Sequence, residues 1–334
     1  APLGAHGGGK FSAWPMRVFT RPDSSVPAIR LQRREYRRTR DVDDFPLWIP
    51  LADSIAARSD LSDLRIRDED DSARPLHVVA PVQGASGGAW ARMPRIDGSS
   101  NEHHLDVLWG NLEAPSWSDP ASVFDSAAAW RGAWHFDRTP LCAVRGCAAL
   151  SGAVAYEPGL SGSAVRFDGT QSLVAADSGT LEPADFSVSL WVKIRSITVS
   201  EARLVWKDSD GQSKLPSWGL LLRESDGNLR VGFRMRGEPS DSGVSAPVAK
   251  DRWVHLAATA DRRRGKAELF VDGTSAGTFP IDSLAPAPRR GDLVVGSGLV
   301  GSIDELRVSR AARAASWFAL ERVNFLQAST LLHP

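Results

Sequence analysis

From about residue 164 onward, apolar and polar residues alternate with period two in short segments that end at turn-forming residues. The segment FSVSLWVKI at 186–194 is the clearest. Phe186, Val188, Leu190, Val192 and Ile194 share one face, and Ser187, Ser189, Trp191 and Lys193 share the other. AVRFDG, ARLVWKD, WGLLLRE, NLRVGFRMR, RWVHLAATA, KAELFVDG and GSIDELRV repeat the theme, with Gly, Asp, Asn and Pro at the joints. Asp272-Gly273 between two apolar runs predicts a tight hairpin, because two-residue hairpin turns need positive φ. About ten such antiparallel strands predict two stacked sheets, a sandwich or jelly roll. ASWFALERVNFL at 315–326 breaks the alternation and predicts one helix, with Ser316 as its N-cap.

The first half leans the same way with less regularity. DFPLWIPLA, DLRIRDED, RPLHVVAPV, GAWARMPRI and HHLDVLWGN read as short, often Pro-flanked strands. The expected fold class is therefore all-β, with two β-sandwich domains and a short C-terminal helix. We place a flexible N-terminal segment at 1–13, a small sandwich at 14–136, the larger jelly roll at 137–326 and a tail at 327–334. The Gly-rich APLGAHGGGK start reads as a processed terminus or an artificial edge.

Composition narrows the function classes. The 334 residues are 42% hydrophobic and 24% charged, as in a globular protein. Forty Lys and Arg balance forty Asp and Glu, so net charge gives no pointer to nucleic acid or an anionic membrane. The basic run RLQRREYRRTR, with Arg30, Arg33, Arg34, Arg37, Arg38 and Arg40, is followed at once by the acidic DVDD and reads as a charge-paired face. No segment approaches the ~18 apolar residues of a membrane-spanning helix. The two cysteines, Cys142 and Cys147, are close enough for a local disulfide; two buried thiols or a metal site are the alternatives. A disulfide would mean the periplasm or the cell exterior.

The chemistry centres on GSIDELRV, where Asp304 and Glu305 are adjacent. A glycosidase needs two carboxyls facing one sugar, about 5–5.5 Å or 6.5–9.5 Å apart. Neighbours on a regular strand point to opposite faces, so this pair does not serve, and no nucleophile-elbow, zinc-protease or phosphate-loop motif appears. We expect no enzyme and no catalytic residues. Alternation puts Glu305 with Arg307 toward solvent, and Asp304 with Leu306 and Val308 toward the apolar side. A buried Asp304 needs a partner: a structural calcium ion with Asp168 as second ligand, an arginine, or backbone N–H groups. Twelve Trp stand against two Tyr. Trp191, on the polar face of its strand, is the first candidate for stacking a sugar ring; Trp206 and Trp253 follow.

Residues 150–326 resemble a laminin-G-like, concanavalin A-type jelly-roll module. The resemblance rests on GLSGSAVRFDGTQSLVAADS, FSVSLWVKI, DRWVHLAATAD, AELFVDGTSAGTF and LVGSIDELRVSRAARAASWF, in that order. In related jelly rolls the closing-strand Asp, here Asp304, is often a calcium ligand. Residues 45–136 resemble a bacterial domain of unassigned function that precedes such modules, through FPLWIPL, SDLRIRDEDDSARPLHVV, AWARMPRI, LDVLWGNLEAPSW and VFDSAAAWRGAWHFD. The pairing is similar to cell-surface proteins and to the extracytoplasmic part of MotA/TolQ/ExbB-type proton-channel proteins. It implies a glycan- or protein-binding module without nucleic acid, periplasmic or on the cell surface, with oligomers allowed. The second option is an assembly or sensing portion of a channel subunit, with a membrane-embedded continuation or partner.

Overall fold

The computed structural model describes residues 28–32, 41–51, 61–68, 72–85, 87–96, 102–111, 113–125, 127–176, 179–181, 184–208, 216–235, 243–282, 291–326 and 332–333. In the first half the strands are β1 (Ala28–Gln32), β2 (Val42–Pro50), β3 (Arg65–Asp68), β4 (Leu76–Val79), β5 (Gly88–Ile96) and β6 (Glu102–Leu108). A one-turn helix α1 (Pro120–Val123) and β7 (Trp130–Trp134) follow. The second half holds β8 (Ala155–Pro158), β9 (Ser163–Asp168), β10 (Leu173–Ala175), β11 (Phe186–Ile197), β12 (Glu201–Asp208), β13 (Pro216–Ser225) and β14 (Asn228–Met235). It continues with β15 (Val244–Pro247), β16 (Trp253–Asp261), β17 (Lys266–Val271), β18 (Thr274–Pro280), β19 (Leu293–Ser297) and β20 (Leu299–Ser309). Helix α2 (Ala315–Leu326) and the two-residue β21 (Leu332–His333) close the chain.

The alternating strands of the second half form a two-sheet sandwich. One sheet runs β18-β17-β16-β11-β20-β9-β8 and gains β7 beside β20; the other runs β10-β19-β12-β13-β14-β15. Val188, Leu190, Val192 and Ile194 of β11 meet Leu204, Leu220, Leu222, Val231 and Phe233 of the opposite sheet in one apolar core. This is the layer that period-two alternation demands. At the predicted hairpin, Asp272 and Gly273 both take positive φ (50° and 74°). Helix α2 starts at Ala315, so Ser316 lies inside its first turn and does not cap it.

The first half builds two smaller sheets, β21-β1-β6-β3 and β2-β5-β4. Their apolar residues do not close on themselves. Phe45, Trp48, Trp90, Phe124 and Trp130 share a second core with Ala257 and Phe270 of the jelly roll and with Trp317, Phe318, Leu320 and Val323 of α2. The large sheet is therefore covered on both faces. The boundary expected at 136/137 falls just after β7, whose Trp134, Ala133 and Gly132 pair with Leu306, Arg307 and Val308 of β20. The chain end returns to the first half through β21 on β1. The segment at 1–13 lies outside the described residues, as do Arg33, Arg34, Arg37, Arg38 and Arg40 of the basic run. Of the DVDD acids, Asp44 pairs with Arg92 and Asp41 with Arg95. Among the described residues, no helix is long and apolar enough to cross a membrane.

Candidate functional site

The closing strand β20 departs from simple alternation at its two carboxylates. Arg307 pairs with Ser189 and Asp304 with Trp191, so Glu305 and Leu306 together face the single residue Leu190. Glu305 occupies this bulge at φ 51°. The bulge resets the faces: Ile303, Leu306 and Val308 point into the sandwich core, while Asp304, Glu305 and Arg307 share the outer side. This corrects three expectations: Asp304 and Glu305 do not point to opposite faces, because the bulge turns both outward. Asp304 does not share a face with Leu306 and Val308, and Glu305, 1% exposed, is not a solvent-side residue.

A chain of charged groups follows on that outer side, sealed beneath the first half and α2. His135 presents Nδ1 to Glu305 Oε2 at 2.7 Å, and Ser161 Oγ donates to Glu305 Oε1 at 2.6 Å. Arg307 then bridges two carboxylates, donating to Glu305 at 2.9 Å and to Glu321 of α2 at 2.7 Å. Glu321 also lies 3.2 Å from His255 Nε2 and accepts from Ser189 Oγ at 3.1 Å. The result is a buried His–Glu–Arg–Glu–His array, with the guanidinium 4.4 Å from the Trp90 ring. Burial disfavours the Glu321 carboxylate, yet the His255 contact and the Arg307 charge outweigh it and hold its pKa down to about 2. The same balance, struck by His135 and Arg307, lowers Glu305.

Asp304 shows the opposite behaviour. Full burial, then the charge of Glu305, pushes its carboxyl well above the ordinary range, against the pull of the Leu160 and Glu305 backbone N–H groups. Those N–H groups donate to Oδ2 at 2.8 Å and Oδ1 at 2.9 Å. The partner that buried Asp304 requires is thus the backbone, one of the three options open from sequence. Both carboxylate oxygens of Asp304 are engaged by N–H donors. Asp168 pairs through Val300, four residues from Asp304 along β20, or roughly 13 Å at ~3.3 Å per residue. Its carboxylate already accepts from Thr170 N and Oγ1 at 2.9 and 2.7 Å. The fold does not bring these two residues together, and among the described residues no three metal-ligating side chains cluster.

The tryptophan candidates separate by cover. Trp191 is 1% exposed. It packs against His255 (centroids 5.1 Å) and Phe325 of α2 (5.8 Å), which leaves no open ring face for a sugar. Trp206 is fully buried beneath the Arg203 guanidinium, 4.3 Å from its ring. Trp253 is half-buried, with Lys193 Nζ 5.2 Å from its ring centroid. Cys142 and Cys147 form a disulfide.

An open feature of the jelly roll lies elsewhere on the same outer face. A groove of about 590 Å³ runs between β16, β17 and the β17–β18 turn on one side and the start of α2 on the other. Thr259, Thr274, Ser275 and Ser316 supply hydroxyls; Asp261, Arg264, Lys266, Glu268 and Arg313 supply charge of both signs. Phe270 forms its floor, and alanines 312, 314, 315 and 319 make a smooth wall. Lys266 pairs with Glu268 at 2.8 Å and Arg264 with Asp261 at 3.5 Å, so four of these five charges are matched within the rim. Sequence reading missed this groove because its residues come from strand ends and a helix start that only the fold brings together. It missed the array for the same reason, although His255 already stood at an outer-face position of RWVHLAATA.

Residues 167–317 match the model of the concanavalin A-like lectin/glucanases superfamily. The jelly roll of this chain is of that type. Three solved structures resemble it in part. Domain 4 of AbnA, a GH43 extracellular arabinanase from Geobacillus stearothermophilus, solved in complex with arabinotriose, is 20% identical, with a TM-score of 0.45 over 57% of this chain and 96% of that domain. The receptor-binding domain of botulinum neurotoxin mosaic serotype C/D is 12% identical, with a TM-score of 0.45 over 58% of this chain and 50% of its own. A SAP-like pentraxin from Limulus polyphemus is 16% identical, with a TM-score of 0.39 over 47% and 80%. Likenesses of this strength say nothing of a ligand for this chain. No curated protein matches it in sequence.

Proposed function

We propose that this protein is a non-enzymatic, extracytoplasmic binding module that takes a glycan in the groove between β16–β18 and α2. The groove itself carries the reading. Its carboxylates accept hydrogen bonds, its cations donate them and its hydroxyls do both. A neutral polyol addresses both signs without leaving a charge uncompensated. The non-enzymatic part is supported by Asp304 and Glu305, which are 0% and 1% exposed and tied to protein partners. The extracytoplasmic part is supported by the Cys142–Cys147 disulfide, since such bonds persist in oxidising compartments. The test is retention on a panel of neutral polysaccharides, followed by titration calorimetry on the best of them. The double variant K266A/E268A is expected to weaken binding at least tenfold with an unchanged melting temperature. Failure to bind any polysaccharide, or undiminished binding by the variant, overturns the reading, and release of reducing sugar overturns its non-enzymatic part.

A further inference from the structure

The other sheet of the sandwich presents a face of different chemistry. In β12, β13 and β14 the inward positions are apolar: Ala202, Leu204, Val205, Leu220, Leu222, Leu229, Val231 and Phe233 belong to the sandwich core. The remaining positions turn outward, and strand pairing lines them up in three rungs. Glu201 pairs with Arg223 and Arg223 with Arg230; Arg203 pairs with Leu221 and Leu221 with Gly232; Trp206 pairs with Gly219 and Gly219 with Arg234. A bulge between Arg203 and Val205 is what brings Trp206 to this side. Nine positions thus carry four guanidinium groups and one carboxylate.

Cross-strand pairing alone does not favour such a concentration. Like charges directly opposite on a sheet are destabilising, and Arg223 stands directly opposite Arg230. Glu201 engages two of the four, Arg223 at 2.5 Å and Arg234 at 3.3 Å. Arg230 is steadied by Ser245, donating to its hydroxyl at 3.2 Å and its carbonyl at 2.8 Å. Arg203 is laid over Trp206. The side chains are therefore held in place, and the surplus positive charge across the three rungs stays uncompensated by the described residues.

We propose that this arginine face binds an anionic polysaccharide through its carboxylate or sulfate groups. Strands are ~4.8 Å apart and same-face residues ~6.8 Å apart. The four guanidiniums consequently spread over an area on the order of 10 by 14 Å, which suits a polymer bearing anions at regular intervals. Arginine forks hold carboxylate and sulfate in paired hydrogen bonds. Trp206 is fully buried, and these rungs expose no aromatic ring of the kind that single-stranded nucleic acid stacks on. The site is on the opposite side of the sandwich from the groove and does not depend on it.

The test is binding to heparin and to polygalacturonate by titration calorimetry at low and raised salt. Double-stranded DNA and anionic phospholipid vesicles serve as the competing arms. Binding to at least one acidic polysaccharide that weakens with salt and falls at least tenfold in R223A/R230A is expected. R203Q, which removes the guanidinium laid over the Trp206 ring, is the second variant should the first lower the melting temperature. The groove variant K266A/E268A and the remote R145A should bind the acidic polysaccharide as the parent does. The inference is overturned if neither polysaccharide binds, if R145A weakens binding as much as the face variants, if both face variants bind normally, or if DNA or vesicles bind as tightly. Failure of the groove reading leaves these outcomes untouched.

Discussion

Glu305 holds a left-handed backbone conformation that a non-glycine residue adopts at a cost. Its side chain explains why it persists: His135, Ser161 and Arg307 all engage the carboxylate, and only the bulge turns it toward them. Glu321 completes the same array from α2, and its removal leaves Arg307 and His255 buried with reduced compensation. E321Q is expected to destabilise the protein by about 3–5 kcal/mol, the range for breaking one side of a buried pair, measured by denaturant unfolding at neutral pH. A loss below about 1 kcal/mol would show the array to be dispensable. The acid limb follows from the sign of the shift. Glu321 is depressed from 4.5 to about 2, so its contribution is present above about pH 4.5 and disappears as the pH falls toward 2. E321Q should flatten that part of the stability profile. Asp304, with its pKa raised, contributes with the opposite sign, its share growing as the pH falls.

At the scale of elements, α2 acts as a wedge between the two halves. Trp317, Phe318, Leu320, Glu321, Val323 and Asn324 are buried, too broad a face for a helix lying on one surface only. Phe318 meets Phe270 of β17 with centroids 4.8 Å apart, and Phe325 meets Trp90 of β5 at 5.2 Å. Asn324 reaches across to β2, where Oδ1 accepts from Trp48 N at 2.7 Å and Nδ2 donates to Trp48 O at 2.9 Å. N324A strips partners from two buried backbone groups and is expected to cost about 2–4 kcal/mol, from ~1–3 kcal/mol for each unsatisfied group; an unchanged unfolding midpoint would contradict the wedge. The strands and the Asp272-Gly273 hairpin were legible because alternation and turn chemistry are local. The cover over β11 was not. Ser187, Ser189 and Trp191 read as a polar, solvent-facing edge, whereas α2 and the first half bury that face and give its hydroxyls partners. Ser189 donates to Glu321, and Ser187 to the Ala311 carbonyl at 2.6 Å. Period two reveals that a strand has two faces, not what lies against each. The bulge at Glu305 was hidden likewise, since no residue in SIDELRV announces positive φ.

For the whole molecule, the large sheet separates two cores and belongs to both. The linker after β7 joins them again: Ala143 and Val144 pack into the second core and Leu150 into the first, with the disulfide touching both. Neither half closes its own apolar surface, and the array spans the seam with charges that need partners from β16, β20, α2 and His135. A two-domain division at 136/137 would predict two separable units. The shared core instead predicts one cooperative unfolding event for the intact chain, with calorimetric and van't Hoff enthalpies in agreement. A shortened chain of residues 137–326 should expose Trp317 and Phe325, which pack on Phe45, Trp130, Trp48 and Trp90, along with Glu305 stripped of His135 and Arg307 stripped of the Trp90 ring. It is expected to melt well below the intact protein and to bind a hydrophobic dye. If the intact chain shows two resolved transitions, one matching that of the shortened chain, the halves are independent and the seam is only a contact. If it shows one, the outer sheet face around Trp191 is permanently core and offers no surface to a ligand.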